Sequence, residues 1–126
     1  MMARVAGMLV EYEAGSYFVP AEQAQRVVRR SVISRVPGTR LGITLFEGRV
    51  IPVLALGSAG EDMLVCDVRG ELVAVAGLTA LEAGFFEAAP DGVQTRSDVV
   101  AQLDVGAELD ALERELWDRR HASGAP

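Results

Sequence analysis

The stretch GITLFEGRVIPVLALG, residues 42–57, decides how the rest of the chain is read. Its only polar side chains are Thr44, Glu47 and Arg49. Residues 42–46 predict a short strand, Glu47-Gly48 a tight turn and residues 49–56 the returning strand of a hairpin. The turn favours a residue that tolerates positive φ, and Gly48 supplies it. On the returning strand Val50, Leu54 and Leu56 alternate with Ile51, Val53 and Ala55. Both faces are apolar, so the strand is expected to be covered on both sides. Pro52 has no N–H to donate to a ladder, which puts it at an edge or a bulge. No nucleophile, metal ligand or phosphate loop stands beside the hairpin, and its apolar surface points to protein binding, not to a reaction.

Outward from the hairpin, turn signals recur every few residues. RVAGMLVEYE reads as a first strand, AGS as a turn and YFVP as a second strand. AEQAQRVV is expected to be a short helical or irregular bridge. SVISRV sets Val32, Ser34 and Val36 against Ile33 and Arg35, the period of a half-buried strand. Pro37-Gly38 forces a turn. MLVCDV, the turn Arg69-Gly70 and ELVAVAG form another hairpin. LTALE and GFFEA read as two short pieces separated by Gly84. Pro90-Asp91-Gly92 is a turn, with VQTR and VVAQL the strands after it. This density of turns indicates an all-β barrel or sandwich. The end differs: Asp104 can cap a helix whose Val105, Leu109, Leu112 and Leu116 share one face. Asp110–Arg114 and Glu115–Arg119 have favourable i,i+4 order on its exposed side. A single domain over residues 1–120 with a frayed tail, HASGAP, at 121–126 is expected.

The 126 residues suffice for a core without disulfides. Cys66 is the one cysteine, in an apolar run, and reads as a buried inert thiol of a reducing compartment. The apolar segment of the N-terminus is cut short by Glu11, too soon for a secretory core or a membrane span. A cytoplasmic protein with no membrane insertion is the expectation. Net charge is −6, unevenly spread: residues 1–60 hold seven arginines against four acids, residues 61–126 five against fourteen. An acidic chain argues against nucleic acid, and the RVVRR cluster (Arg26, Arg29, Arg30) reads as a solvated edge.

Catalytic groups are scarce. The single histidine, His121, lies in the tail, so Ser-His or Cys-His catalysis has no base. No Gly-x-Ser-x-Gly elbow or Walker-type loop occurs. One histidine and one cysteine do not suggest a zinc site, and no cofactor is expected. The densest carboxylates, Glu108, Asp110, Glu113 and Glu115, fall on a solvated helix, a poor place to perturb a pKa. The chain is read as not an enzyme.

Residues 17–57, YFVPAEQAQRVVRRSVISRVPGTRLGITLFEGRVIPVLALG, resemble the CheW-like domain of bacterial chemosensory arrays. Gly42, Ile43, Phe46, Gly48, Ile51, Pro52, Val53 and Leu56 fall on that family's G-[VI]-x-x-[LF]-R-G-x-x-[IV]-P-V-[IVL]-D-L block. LVAVAGLTALE and VVAQLDVGAELDALEREL match its later segments more loosely. The resemblance implies a mainly β fold: two small SH3-like β-barrels packed on a shared core, with a C-terminal α-helix. It implies a non-catalytic chemosensory adaptor that couples a methyl-accepting chemoreceptor tip to the regulatory domain of a CheA-type histidine kinase. Carried onto this chain, the protein-binding residues are Ala24, Arg26, Val27, Gly42, Ile43, Glu47 and Gly48.

Two positions depart from the block. Glu47 stands where the family has arginine, and Ala55 where it has aspartate. Counting back from Pro37 sets Arg26 at the glutamate with which that arginine can pair. Both partners have then exchanged sign, and two readings stay open: a swapped ion pair Arg26–Glu47, or a shifted register and two unrelated surface charges. The loss of the arginine leaves two alternatives: a specialised member that has lost receptor docking, and an unrelated β-barrel interaction module.

Overall fold

The computed structural model describes residues 3–29 and 32–123, with side chains to residue 120. The chain is mainly β, with one helix at its C-terminal end. Ten strands run in order: β1 (Arg4–Tyr12), β2 (Gly15–Pro20), β3 (Ala24–Arg29), β4 (Ser34–Arg35), β5 (Leu41–Phe46), β6 (Arg49–Ala55), β7 (Asp62–Val68), β8 (Glu71–Ala89), β9 (Gly92–Gln94) and β10 (Val99–Ala101). Helix α1 (Val105–Ser123) follows.

The strands fall into two sets joined by β8. In one, β2 pairs β1, β1 pairs the second half of β8, β8 pairs β9 and β9 pairs β10, all antiparallel. A parallel bridge between Phe18 and Gln102, with the Leu103 N–H donating to the Phe18 carbonyl at 2.9 Å, brings the end of this set back to β2. The circuit closes through that bridge and not through a full ladder. In the other set β3 pairs β7, β7 pairs the first half of β8, and the β5–β6 hairpin joins β8 through a short parallel ladder. Strand β4 pairs β5 over two residues. β3 has its ladder with β7 and β5 has its ladders with β4 and β6, so a seam separates β3 from β5.

Period-2 alternation explains why so many strands are apolar on both faces. Alternate residues enter different cores. Ile51, Val53, Met63, Val65, Ala74 and Ala76 fill the interior of the β3–β8 set. Leu9, Phe18, Val93 and Val100 fill the interior of the β1–β10 set. Their strand neighbours Val10, Val19, Leu54, Leu64, Cys66, Val73 and Val75, with Val105 and Leu112 of α1, make a core shared by both. This arrangement is two barrel-like units on a common core, with the helix docked on it.

Three readings of the sequence are corrected here. Residues 24–28 of AEQAQRVV, with Arg29 after them, are a strand and not a helical or irregular bridge. The turn closed by the Gln23 N–H on the Pro20 carbonyl is followed by pairing with β7, which outweighs the local helix preference of Ala, Glu and Gln. Among the described residues of SVISRV the ladder with β5 covers Ser34–Arg35, the Val36 N–H donates to the Leu41 carbonyl, and Val32 is 84% exposed. Ile33 packs against the interior cluster. LTALE and GFFEA are one continuous strand, because Gly84 pairs Gly7 inside the ladder. The ladder is irregular elsewhere, at Gly77 (φ +78°) and Leu81, where one residue is left over against β7 and β1.

The Asp104 carboxylate accepts the Ala107 N–H at 2.9 Å and caps α1 as expected. The acids of the helix reach the barrel: Asp110 pairs Arg69 at 3.1 Å, and Glu115 pairs Arg40 at 3.0 Å. The helix runs to Ser123, past the point where the tail was expected to begin, since no helix breaker precedes Gly124. Residues 124–126 lie outside the described residues, as does Arg30 of the RVVRR cluster.

Candidate protein-binding surface

The β5–β6 hairpin is built as its sequence predicts. Phe46 pairs Arg49 across a two-residue turn in which Glu47 (φ +49°) and Gly48 (φ +78°) both lie in the left-handed region. That is the type I′ geometry whose twist matches a hairpin. Gly48 faces open space, so its conformation, and not crowding, selects glycine. Gly42 is the opposite case. It is buried, and a Cβ there would stand 2.7 Å from Ile33 Cγ2.

The two faces of the hairpin meet different fates. Thr44, Ile51 and Val53 point into the barrel interior and are buried. On the other face, the register sets Leu41 beside Leu54, Ile43 beside Pro52, and Leu45 beside Val50. Leu54 is fully buried in the shared core, where Leu41 also packs. Further out the same face emerges into solvent: Ile43 is 47%, Leu45 69% and Val50 68% exposed, and Pro52 is exposed with them. The expectation that β6 is covered on both sides therefore holds at its base and fails at its tip. Pro52 lies just before the short ladder to β8, so its missing N–H falls on an unpaired edge.

The residues singled out from the sequence occupy three places. Ala24 and Val27 of β3 are half-buried and pack on the shared core, beneath the surface. Gly42 is a buried spacer and Ile43 an exposed member of the apolar face. Arg26 and Glu47 meet, Nη1 to Oε1, at 3.0 Å, both about three-fifths exposed. By register Arg26 stands on the interior side of the sheet with Val65 and Val28, at the mouth of the barrel. Its guanidinium lies 6.0 Å from the centre of the Phe46 ring on the way to Glu47. The pair thus spans the seam between β3 and the β5–β6 turn where no ladder runs. Leu45 and Val50 were not among the expected site residues. Their signal was the second apolar face of the hairpin.

Groups able to do covalent chemistry are poorly disposed for it. Cys66 is buried, and desolvation pushes its thiol up to about 12. Burial, followed by the neighbouring Tyr17 and Glu108, raises the Tyr12 phenol to about 12. Neither lines the open cleft of about 860 Å³ between Arg4, Phe85, Glu87 and Arg96. Three of the four clustered helix carboxylates are engaged by arginines, Glu108 and Glu115 by Arg40, and Asp110 by Arg69. Among the described residues no three His, Cys, Asp or Glu side chains are grouped to hold a metal ion, and no helix is long and apolar enough to cross a membrane. The side chain of His121 lies outside the described residues.

No family model matches the chain, and no curated protein matches it. Among solved structures it is similar to the scaffolding protein TtCheW from Thermoanaerobacter tengcongensis, with a TM-score of 0.57 and 16% sequence identity. The match covers 64% of each chain, so the likeness spans somewhat less than two-thirds of that scaffold. At this identity the similarity is one of fold, and the fold is CheW-like.

Proposed function

We propose that this chain is a non-catalytic adaptor of the CheW type, which joins proteins of a chemosensory signalling assembly by docking them on the tip of the β5–β6 hairpin. One observation carries the reading: the apolar face of the shared core runs out of the molecule at Ile43, Leu45, Val50 and Pro52 on a CheW-like fold. A contiguous row of exposed aliphatic side chains with a polar rim is the composition of a docking surface. Arg26 and Glu47 act beside it by holding the turn to β3, and Ala24, Val27 and Gly42 act beneath it as support. The partners this reading names are the regulatory domain of a CheA-type histidine kinase and a methyl-accepting chemoreceptor tip.

A second reading is favoured by Glu47 itself. An acid at the position where the resembled family carries arginine describes an adaptor that keeps the kinase contact and drops the ordinary receptor one. Calorimetric titration of the chain with the two partner fragments separates these readings. Binding to both supports the full adaptor, and binding to the kinase domain alone supports the specialised form. No binding to either leaves an interaction module of another system.

A further inference from the structure

The two halves of α1 are held to the body by the same kinds of force in different proportion: Val105, Leu109 and Leu112 with the Glu108–Arg40 and Asp110–Arg69 pairs in the first half, and Leu116 with arginine contacts from the neighbouring loop in the second. In the first half Val105 and Leu112 are buried, Leu109 packs with them in the shared core, and Asp104 caps the end. In the second half Leu116 joins that core and Trp117, the chain's one tryptophan, is 61% exposed. Charge and hydrogen bonding add to the grip there. Arg40 reaches Glu115 with Nη2 to Oε1 at 3.0 Å and Nε to Oε2 at 3.4 Å, and the Arg119 guanidinium donates to the Gly38 carbonyl. Both contacts come from the segment between β4 and β5, which leads directly into Leu41. Leu41 and Leu54, the covered base of the hairpin face, lie in the same apolar cluster as Leu116.

We infer that the C-terminal half of α1 is an electrostatically latched strap over the base of the hairpin's apolar face. With the latch closed, the open face ends at Ile43 and Pro52. With it released, the face extends towards the half-buried Leu41, and the surface offered to a partner grows without any change in the barrels. Contacts of this kind weaken as salt screens them, whereas the aliphatic grip of the first half does not. The strap stands on the contacts of α1 alone. Its role in partner binding rests on the docking function proposed for the hairpin.

Hydrogen exchange and tryptophan fluorescence of the full chain, with no partner added, test the strap. Raising NaCl from about 50 mM to about 500 mM shortens the Debye length from about 14 Å to about 4 Å. Amides of residues 114–120 are expected to exchange about threefold faster or more at the higher salt, with those of 105–112, anchored by three aliphatic side chains, changing less. Trp117 anisotropy falls in parallel, and binding of a hydrophobic dye rises. Arg40→Gln reproduces these changes at low salt. Glu115→Gln does so from an exposed position that does not endanger the fold. Equal protection of the two helix halves at both salt levels, or Glu115→Gln indistinguishable from the parent, overturns the strap. Release without added dye binding overturns the extension of the face. Failure of the docking function leaves these partner-free readouts untouched, so the two ideas fail separately.

Discussion

The guanidinium of Arg26 and the carboxylate of Glu47 close a 3.0 Å ion pair across the seam between β3 and the β5–β6 turn. The backbone ladder stops at this seam, so the pair does by side chains part of what a strand pairing would do. With both partners about three-fifths exposed, its coupling is on the order of 0.2–1 kcal/mol. Arg26→Glu and Glu47→Arg should each cost no more than that in stability, and the double reversal should recover the coupling in a denaturant double-mutant cycle. Partner binding should follow the same pattern, weakened by either single change and restored by both. Two silent single variants would show that the pair has no role.

Glu47 occupies the left-handed region at φ +49°, which costs a residue with a side chain about 1–2 kcal/mol. That exceeds the return from an exposed pair. Glu47→Asn keeps a short polar side chain suited to the turn and removes the ion pair, so it should raise the melting temperature while weakening partner binding. Gly48→Ala places a Cβ at φ +78° and should destabilise by about 1–2 kcal/mol. A Glu47→Asn protein less stable than the parent would mean that the pair contributes more than its exposure allows.

Hairpins with explicit turn chemistry were legible from the residues: Glu47-Gly48 and Arg69-Gly70 both adopt the positive φ angles their glycines announce. Strand β3 was not, because Ala-Glu-Gln-Ala-Gln carries helix preference and only the distant β7 overrides it. The unbroken β8 was hidden because Gly84 looks like a breaker until Gly7 is found opposite. The Arg26–Glu47 pair was suggested by the resemblance to the CheW-like block, with the spacing to Pro37 setting the register, and the residues alone left it open against two unrelated charges. Leu45 and Val50 escaped because an apolar second face predicts burial, and nothing local to the hairpin says where the shared core ends.

That uncovered end gives the sharpest contrast in the molecule. Leu45 and Val50 are mostly exposed, so Leu45→Ser with Val50→Ser should change folding stability by less than about 1 kcal/mol. Each side chain contributes roughly 1.5–3 kcal/mol when a partner covers it, so the double variant should weaken docking at least tenfold. Leu54→Ala, on the same face but fully buried, should cost about 2–5 kcal/mol of stability. Unaltered affinity of the serine variant in calorimetry would remove the hairpin tip from the interface.

Two weak acids, the buried Cys66 thiol and the partly buried Tyr12 phenol, make the fold less stable at alkaline pH. The Cys66 thiol is pushed up to about 12 by desolvation, and the Tyr12 phenol reaches about 12 through burial and then Tyr17 and Glu108. In both, the folded state holds its proton to higher pH than the unfolded chain, so between the two pKa values the unfolded state binds fewer protons. Stability is therefore fully present below pH about 9 and is lost progressively from there towards pH 12, first through the thiol and then through the phenol. Cys66→Ala should flatten the early part of the decline, and Tyr12→Phe the later part, in urea titrations at stepped pH. The same burial should keep Cys66 unreactive towards a thiol reagent at pH 8 until the protein unfolds. Rapid labelling under native conditions would show that the shared core opens locally around β7.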